Sequence, residues 1–104
     1  MPTYVFIKSG YEQVRVELDD ILYVESIGNY VQFVSEHQKI ISRRTMSEAE
    51  VLLPVTTFLR IHRSFTVAKK KISKIEKNCV WIKQTKIPVG SSYAAKLEKF
   101  LESK

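Results

Sequence analysis

The sequence has very few of the residues that form disulfide frameworks or flexible linkers. It contains one cysteine, three glycines and three prolines among 104 residues. Because a single cysteine cannot be cross-linked within the chain, an internal disulfide is excluded and a cytoplasmic location is expected. Cys79 lies in an apolar stretch, where a small core residue is the simplest interpretation.

Long hydrophobic runs and an amino-terminal targeting segment are also missing. No apolar run approaches the roughly 20 residues that a membrane-spanning helix needs. The first residues, Met1-Pro2-Thr3-Tyr4, lack the basic and apolar regions of a signal peptide. A chain of 104 residues with 44% hydrophobic residues can bury one modest core, so we expect a single domain over residues 1–104.

Residues that could perform catalysis or hold a metal are equally scarce. His37 and His62 have no cysteine or carboxylate at the spacing of zinc ligands, and the isolated glycines form no phosphate-binding loop. Asp19-Asp20 is a carboxylate pair, but a solvated turn is the commoner interpretation of such a pair at a strand end. We therefore expect no enzymatic activity, no cofactor, no metal and no small-molecule substrate.

Positive charge, in contrast, is plentiful and concentrated in one part of the chain. Residues 37–75 contain nine basic and two acidic residues, a net charge of +7, whereas the rest of the chain has a net charge of −1. This asymmetry indicates a polyanionic partner, either a nucleic acid or an anionic membrane surface, although a solvated basic face would have the same composition.

The hydrophobic pattern predicts mostly short strands. Val14, Val16 and Leu18 alternate with polar residues, which is typical of a half-buried strand. Val31 and Phe33 should lie on one face of a strand and Val34 on the other. The predicted strands cover residues 4–8, 13–18, 21–25, 30–35, 39–42, 59–63, 64–68, 72–76, 80–83 and 85–89.

Two helices are predicted among these strands. Thr45 and Glu48 have the spacing of a capping box, which predicts a helix of about two turns that Pro54 ends. A second helix is expected near the carboxyl end, with Ala94, Leu97 and Leu101 on its apolar face, widened by Tyr93 and Phe100. Ser91 or Ser92 could cap this second helix.

Three polar segments could bind an anion. Arg60-Ile61-His62-Arg63-Ser64 combines arginines, which bind phosphate or read guanine, with hydroxyl and imidazole donors. Lys69-Lys70-Lys71 could add electrostatic steering, or could simply be a solvated loop. Gly90-Ser91-Ser92 could offer backbone and hydroxyl donors to an anion, or could only cap a helix.

Three motifs together resemble the LytTR family of DNA-binding domains over about residues 6–101. They are Leu18-Asp19-Asp20-Ile21-Leu22-Tyr23-Val24-Glu25-Ser26 with Gly28-Asn29-Tyr30-Val31, then Phe58-Leu59-Arg60-Ile61-His62-Arg63-Ser64-Phe65-Thr66-Val67, and finally Lys86-Ile87-Pro88-Val89-Gly90-Ser91-Ser92-Tyr93. The resemblance implies a mainly β fold, an elongated stack of small antiparallel sheets with one short central helix and a carboxyl-terminal helix.

The resemblance also implies a function. LytTR domains are output domains of bacterial transcriptional regulators, including response regulators of two-component phosphorelay systems. They place loops into successive major grooves of double-stranded DNA, commonly at repeated sites. We therefore expect duplex DNA as the partner, a receiver or membrane sensor domain in a full-length protein, and a possible dimer on repeated sites.

The family's contact positions correspond to three loops of this sequence. Arg63 is expected to contact a base, His62 and Ser64 to contact phosphate, and Asn29 to read adenine beside Tyr30. Many members carry arginine where this chain has Ser91 and Ser92, so phosphate contact is expected there instead of base reading. Further DNA contacts are expected from the following basic residues: Arg43, Arg44 and Lys70.

Two other binding functions stay open from the sequence. A basic β-module could bind a protein partner, which a weak salt dependence would indicate. An RNA-binding β domain would need aromatic residues exposed among basic ones for base stacking, whereas Phe58 and Phe65 have the pattern of core residues.

Overall fold

The computed structural model describes residues 3–103 and shows a chain dominated by short strands. Residues 1, 2 and 104, which belong to the domain expected from the sequence, lie outside the described residues. The elements in chain order are β1 (Tyr4–Ser9), β2 (Glu12–Glu17), β3 (Ile21–Ile27), β4 (Tyr30–Ser35), β5 (Lys39–Ser42), α1 (Met46–Val51), β6 (Phe58–His62), β7 (Phe65–Ala68), β8 (Ile72–Glu76), β9 (Cys79–Ile82), β10 (Thr85–Pro88) and α2 (Ala94–Glu102).

The strands form three antiparallel sheets stacked on one another. A five-stranded central sheet has the order β5-β4-β3-β7-β6, with a β1-β2 hairpin on one face and a β10-β9-β8 sheet on the other. The described residues extend 40 × 30 × 24 Å. The expected elongated stack of small sheets with a short central helix and a carboxyl-terminal helix is thereby confirmed.

Successive side chains of the central strands lie on opposite faces of the sheet, which produces two separate hydrophobic cores. Val31 and Phe33 lie on the face opposite Val34, as predicted; the first two face the hairpin and α1, whereas Val34 faces the third sheet and α2. Ile61 is fully buried in the second core. Cys79 is buried at the start of β9, which confirms its interpretation as a core residue, and its thiol donates to Glu76 over 3.1 Å.

The two helices agree with the sequence in position but not in every detail. Thr45 and Glu48 form the predicted capping box, and α1 ends at Val51, three residues before Pro54. In α2 only Leu97 is buried, with Phe100 packed against the second core. Ala94 and Leu101 are exposed, so the predicted apolar face is narrower than expected. Neither helix in residues 3–103 is long and apolar enough to cross a bilayer.

Candidate nucleic-acid interface

Three of the predicted DNA-contacting segments meet at one end of the central sheet. Because β3, β5 and β6 all run antiparallel to β4 or β7, their carboxyl ends point the same way. These ends lead into Gly28–Asn29, Arg43–Arg44 and Arg63–Ser64, and we call this set of segments the loop end. An open groove of about 600 Å³ lies between them, lined in part by Asn29, Arg43, Arg44, Arg60 and Arg63.

The β6–β7 turn is held from inside by Arg60. Its Nη2 donates to the Arg63 carbonyl oxygen over 2.6 Å, and its Nε donates to the His62 carbonyl oxygen over 3.2 Å. Its Nη1 lies 2.8 Å from a carboxylate oxygen of Glu50 in α1, and the Arg60 side chain is only 20% exposed. Arg60 therefore supports the turn, and its fixed fork of donors suits the three acceptors.

Arg63 differs from Arg60 in both exposure and partners. Its side chain is exposed, and within residues 3–103 no hydrogen bond or ion pair involves its guanidinium group. The turn that carries it is anchored to β3, because the Ser26 backbone N–H donates to the Ser64 carbonyl oxygen over 2.9 Å. A free guanidinium group on a fixed backbone can form two parallel hydrogen bonds to phosphate or guanine.

His62 and Ser64 are linked within the same turn. The Ser64 backbone N–H donates to Nδ1 of His62 over 3.0 Å, so Nε2 is the ring nitrogen left to donate outward. The imidazole ring packs edge-on against Phe65, with 5.7 Å between ring centroids. This arrangement fixes the orientation of the imidazole ring in the residue that precedes Arg63.

The β3–β4 turn presents Asn29 at its tip. Ile27 pairs with Tyr30, leaving a two-residue turn in which Gly28 has φ +60°. A positive φ at the first central residue is typical of a type II′ turn and favours glycine. Asn29 is exposed, and the Tyr30 side chain is 45% exposed beside it. The amide group of Asn29 is thus free to face a ligand at the loop end.

Arg43 and Arg44 lie between β5 and α1 on the wall of the groove. Arg43 is exposed, whereas Nε of Arg44 donates to the Ser42 hydroxyl group over 2.9 Å. Glu48 is the one acidic residue that lines this groove in the described chain. The Thr45 backbone N–H donates to the Glu48 carboxylate and lowers its pKa, and the nearby Arg44 charge lowers it further.

The closing segment lies beside β6, next to His62. The Gly90 backbone N–H donates to the Ile61 carbonyl oxygen over 2.8 Å, and a Cβ atom at Gly90 would lie 3.1 Å from Tyr93 and 3.6 Å from His62. Ser91 and Ser92 are exposed in a 3₁₀ turn. The prediction that a serine caps α2 is wrong, because Tyr93 is the N-cap residue and no side chain caps the helix.

Lys70 is not brought to this groove. The turn from β7 to β8 lies at the other end of the central sheet, where Lys70 Nζ is 2.7 Å from a carboxylate oxygen of Asp19. Lys71 and Lys83 both pair with Glu36 and lower its pKa to about 2. The structure therefore separates the lysine run from Arg63, and DNA contact by Lys70 stays a prediction.

Sequence reasoning did not foresee that Glu50 and Ser26 support the β6–β7 turn. Glu50 was visible only as one of the two acids in the basic segment, and Ser26 only as the last residue of the first motif. Their roles arise from contacts across 10 and 38 residues of chain, for which the sequence carries no local signal.

Comparison with known proteins agrees with this geometry. The family model of the LytTr DNA-binding domain matches residues 11–102. The solved LytTr DNA-binding domain of a response regulator from Bacillus cereus superposes with a TM-score of 0.83 at 25% identity, covering 97% of this chain and 98% of that one.

Several longer proteins contain a similar segment. The sensory transduction protein LytT of Bacillus subtilis is 31% identical over 98 residues, which cover 88% of this chain and 41% of LytT. The heme-containing CO-sensing transcriptional regulator RcoM 1 of Paraburkholderia xenovorans is 26% identical over 110 residues, 96% of this chain and 41% of that regulator. The chain thus spans about two fifths of the length of these relatives.

Proposed function

The chain belongs to the LytTR family of DNA-binding domains, and from that premise we propose that it is the sequence-specific output domain of a bacterial transcriptional regulator. In this proposal the loop end binds duplex DNA, with Arg63 and Asn29 reading bases in the major groove. His62, Ser64, Ser91 and Ser92 contact phosphates, while Arg43 and Arg44 contribute charge along the DNA backbone.

One observation carries most of this proposal. Arg63 projects from a turn whose backbone is fixed by Arg60 and Ser26, yet its own guanidinium group has no partner within residues 3–103. A preorganised and unpaired arginine loses little conformational freedom when it binds, and it does not have to give up an existing ion pair.

The length of the molecule allows contact with more than one groove. Successive major grooves on one side of B-DNA are about 34 Å apart, and the longest dimension of the described chain is 40 Å. The helix beside the groove, α1, has only six residues and reaches the groove with its first turn, so it is shorter than a helix that reads a major groove along its length. We therefore propose that loops enter successive grooves, with one domain at each of the repeated sites.

The alternative of an RNA reader that stacks bases on Phe58 or Phe65 receives less support. Phe58 is buried, and Phe65 packs against the second core, so neither offers a face for base stacking.

The relatives' greater length leads us to propose a receiver or sensor region beside this domain in a complete regulator. Dimer formation on repeated sites belongs to the same proposal.

The test is selection of bound duplexes from a random pool, sequenced after washes at two salt concentrations. We expect a motif, present as a repeat, to be enriched at the higher concentration, because base contacts depend less on salt than phosphate contacts do. Retention of DNA only at low salt, without any enriched motif, would contradict sequence-specific binding.

A further inference from the structure

The β1–β2 hairpin reaches the loop end on the far side of β5. The Ser9 hydroxyl group at the end of β1 donates to the Ile41 carbonyl oxygen over 2.7 Å, and Ile41 is the next-to-last residue of β5. Because β5 runs toward the loop end, this bond brings the Gly10–Tyr11 turn there too. Tyr11 is fully exposed at the tip, so nothing in the described chain covers it.

A second open groove connects this hairpin to the arginines of the first groove. It has a volume of about 410 Å³, with Lys8 and Gly10 on one side and Arg43 and Arg44 on the other. Arg43 and Arg44 line both grooves, so the two grooves lie next to each other. None of the residues that line the second groove is acidic.

Lys8 has the properties of a cation available to a polyanion. It is exposed at the penultimate position of β1, and within residues 3–103 it forms no ion pair or hydrogen bond through its ammonium group. Lysine is a flexible point charge, suited to phosphate contact without sequence discrimination. A solvated lysine would look the same in isolation, but this one lines a basic groove that ends at the proposed reading loops.

We propose that Lys8 binds a backbone phosphate of the same duplex, so that the DNA-binding surface extends past β5 to the β1–β2 hairpin. This inference rests on the proposed function and adds a fifth contact segment to the four named there. Across the central sheet, four strand intervals of about 4.8 Å span roughly 19 Å, about half a turn of DNA. The hairpin packs on one face of that sheet and meets β5 through Ser9, so that Lys8 is added at the β5 side of this span.

The matched pair of variants is Lys8→Gln and Lys39→Gln. Lys39 is also exposed, unpaired within the described residues and close to a strand end, but it begins β5 at the other end of the central sheet. Fluorescence anisotropy titrations with the selected duplex and with a random duplex, each at several salt concentrations, give affinities and salt slopes.

For Lys8→Gln we expect the slope of log affinity against log salt to flatten by about 0.9, because one fewer phosphate is neutralised. At about 0.1 M salt this change in slope corresponds to a loss of affinity of roughly fivefold to tenfold. The loss should be the same for the selected and the random duplex. Lys8→Arg should retain the slope, and Lys39→Gln should leave both duplexes bound as before. Equal slopes for Lys8→Gln and the wild type would overturn the inference.

Two further measurements distinguish the loss of a phosphate contact at Lys8 from a folding defect and from a failure of the proposed function. Thermal melts of Lys8→Gln and Lys39→Gln should coincide, since both substitutions are on the surface; if Lys8→Gln alone melts early, the titrations are made at a temperature at which both variants are folded. Arg63→Ala in the same titrations tests the proposed function. If Arg63→Ala weakens selected-site binding and Lys8→Gln does not, the hairpin contact alone is wrong; if neither changes binding, both are wrong.

Discussion

The two ends of the central sheet both carry basic residues, but the arginines of the loop end and the lysines that meet Asp19 and Glu36 differ in their surroundings. At the loop end, Arg43 and Arg63 are exposed and have no carboxylate partner within residues 3–103. At the other end, Lys70 pairs with Asp19, and both Lys71 and Lys83 pair with Glu36. Cations of the first kind are available to a polyanion, whereas cations of the second kind are already neutralised.

The comparison shows that the position of charge in the fold matters more than its density in the sequence. Lys69, Lys70 and Lys71 form the densest basic run, yet each is engaged, with Lys69 donating to carbonyl oxygens of the Val55–Thr56 segment. The sparser arginines line an open groove. Because released counterions drive DNA affinity, an unpaired arginine contributes more than a lysine that must first leave a carboxylate.

The largest effect is expected from Arg63→Ala. If Arg63 reads a base, specific binding should weaken by about 1–3 kcal/mol, because both hydrogen bonds to that base are lost. Titrations of the selected duplex, and of the same duplex changed at one base pair at a time, measure this loss. Equal losses on selected and random DNA would reduce Arg63 to a phosphate contact and contradict base reading.

A smaller effect is expected from Arg60→Lys, which keeps the charge but removes the planar fork that reaches Glu50 and the two carbonyl oxygens. Selected-site binding should weaken by about 1 kcal/mol, while the salt slope stays unchanged, because the β6–β7 turn is less well fixed. Arg15→Lys, at an exposed ion pair in the hairpin, is the control. Identical behaviour of the two variants would argue against a positioning role for Arg60.

Arg43→Gln and Lys70→Gln compare the two ends directly. The salt slope should flatten by about 0.9 for Arg43→Gln and by clearly less for Lys70→Gln, because Asp19 already neutralises Lys70. The basic pattern of the sequence favours a contact by Lys70, and a full 0.9 change for Lys70→Gln would support that prediction. The same result would show that the end opposite the loops also binds DNA.

The smallest effect concerns Glu36→Gln and is confined to stability. The Lys71 and Lys83 ammonium groups lower the pKa of Glu36 from 4.5 to about 2, so its stabilising contribution is complete above pH 4.5 and is lost as pH falls toward 2. Glu36→Gln should be less stable than the wild type at neutral pH, with the difference vanishing near pH 2. Urea titrations at several pH values measure the difference in the free energy of unfolding between the two proteins. A difference that stays constant with pH would contradict the prediction. DNA binding at neutral pH should be unchanged.

Elements determined by local pattern could be predicted from the sequence. The alternation in β4 and the capping box before α1 were predicted correctly, because each depends on residues only two to three positions apart. The family resemblance indicated three loop segments, and the structure brings Asn29 and Arg63 to one groove and Gly90 close to His62, while their contacts with DNA stay a prediction.

Features that depend on packing between distant residues could not be predicted. The narrow buried face of α2 reflects where the helix meets β6, so Ala94 and Leu101 stay exposed despite their helical spacing. The partner of Lys70 is 51 residues away in the chain. The resemblance to the family favours Arg63 as the contact residue, but the supporting role of Arg60 depends on its bonds to Glu50 and to the His62 and Arg63 carbonyl oxygens, which the sequence does not indicate.

The most direct test of the account is NMR mapping of backbone amide shifts in the labelled chain as the selected duplex is added. We predict large shifts at Asn29, Ser64 and Ser91, and no comparable shifts at Glu36 or Lys83. Shifts concentrated around Glu36 and Lys83, with Asn29 and Ser64 unmoved, would show that the paired cations bind DNA and would contradict the account.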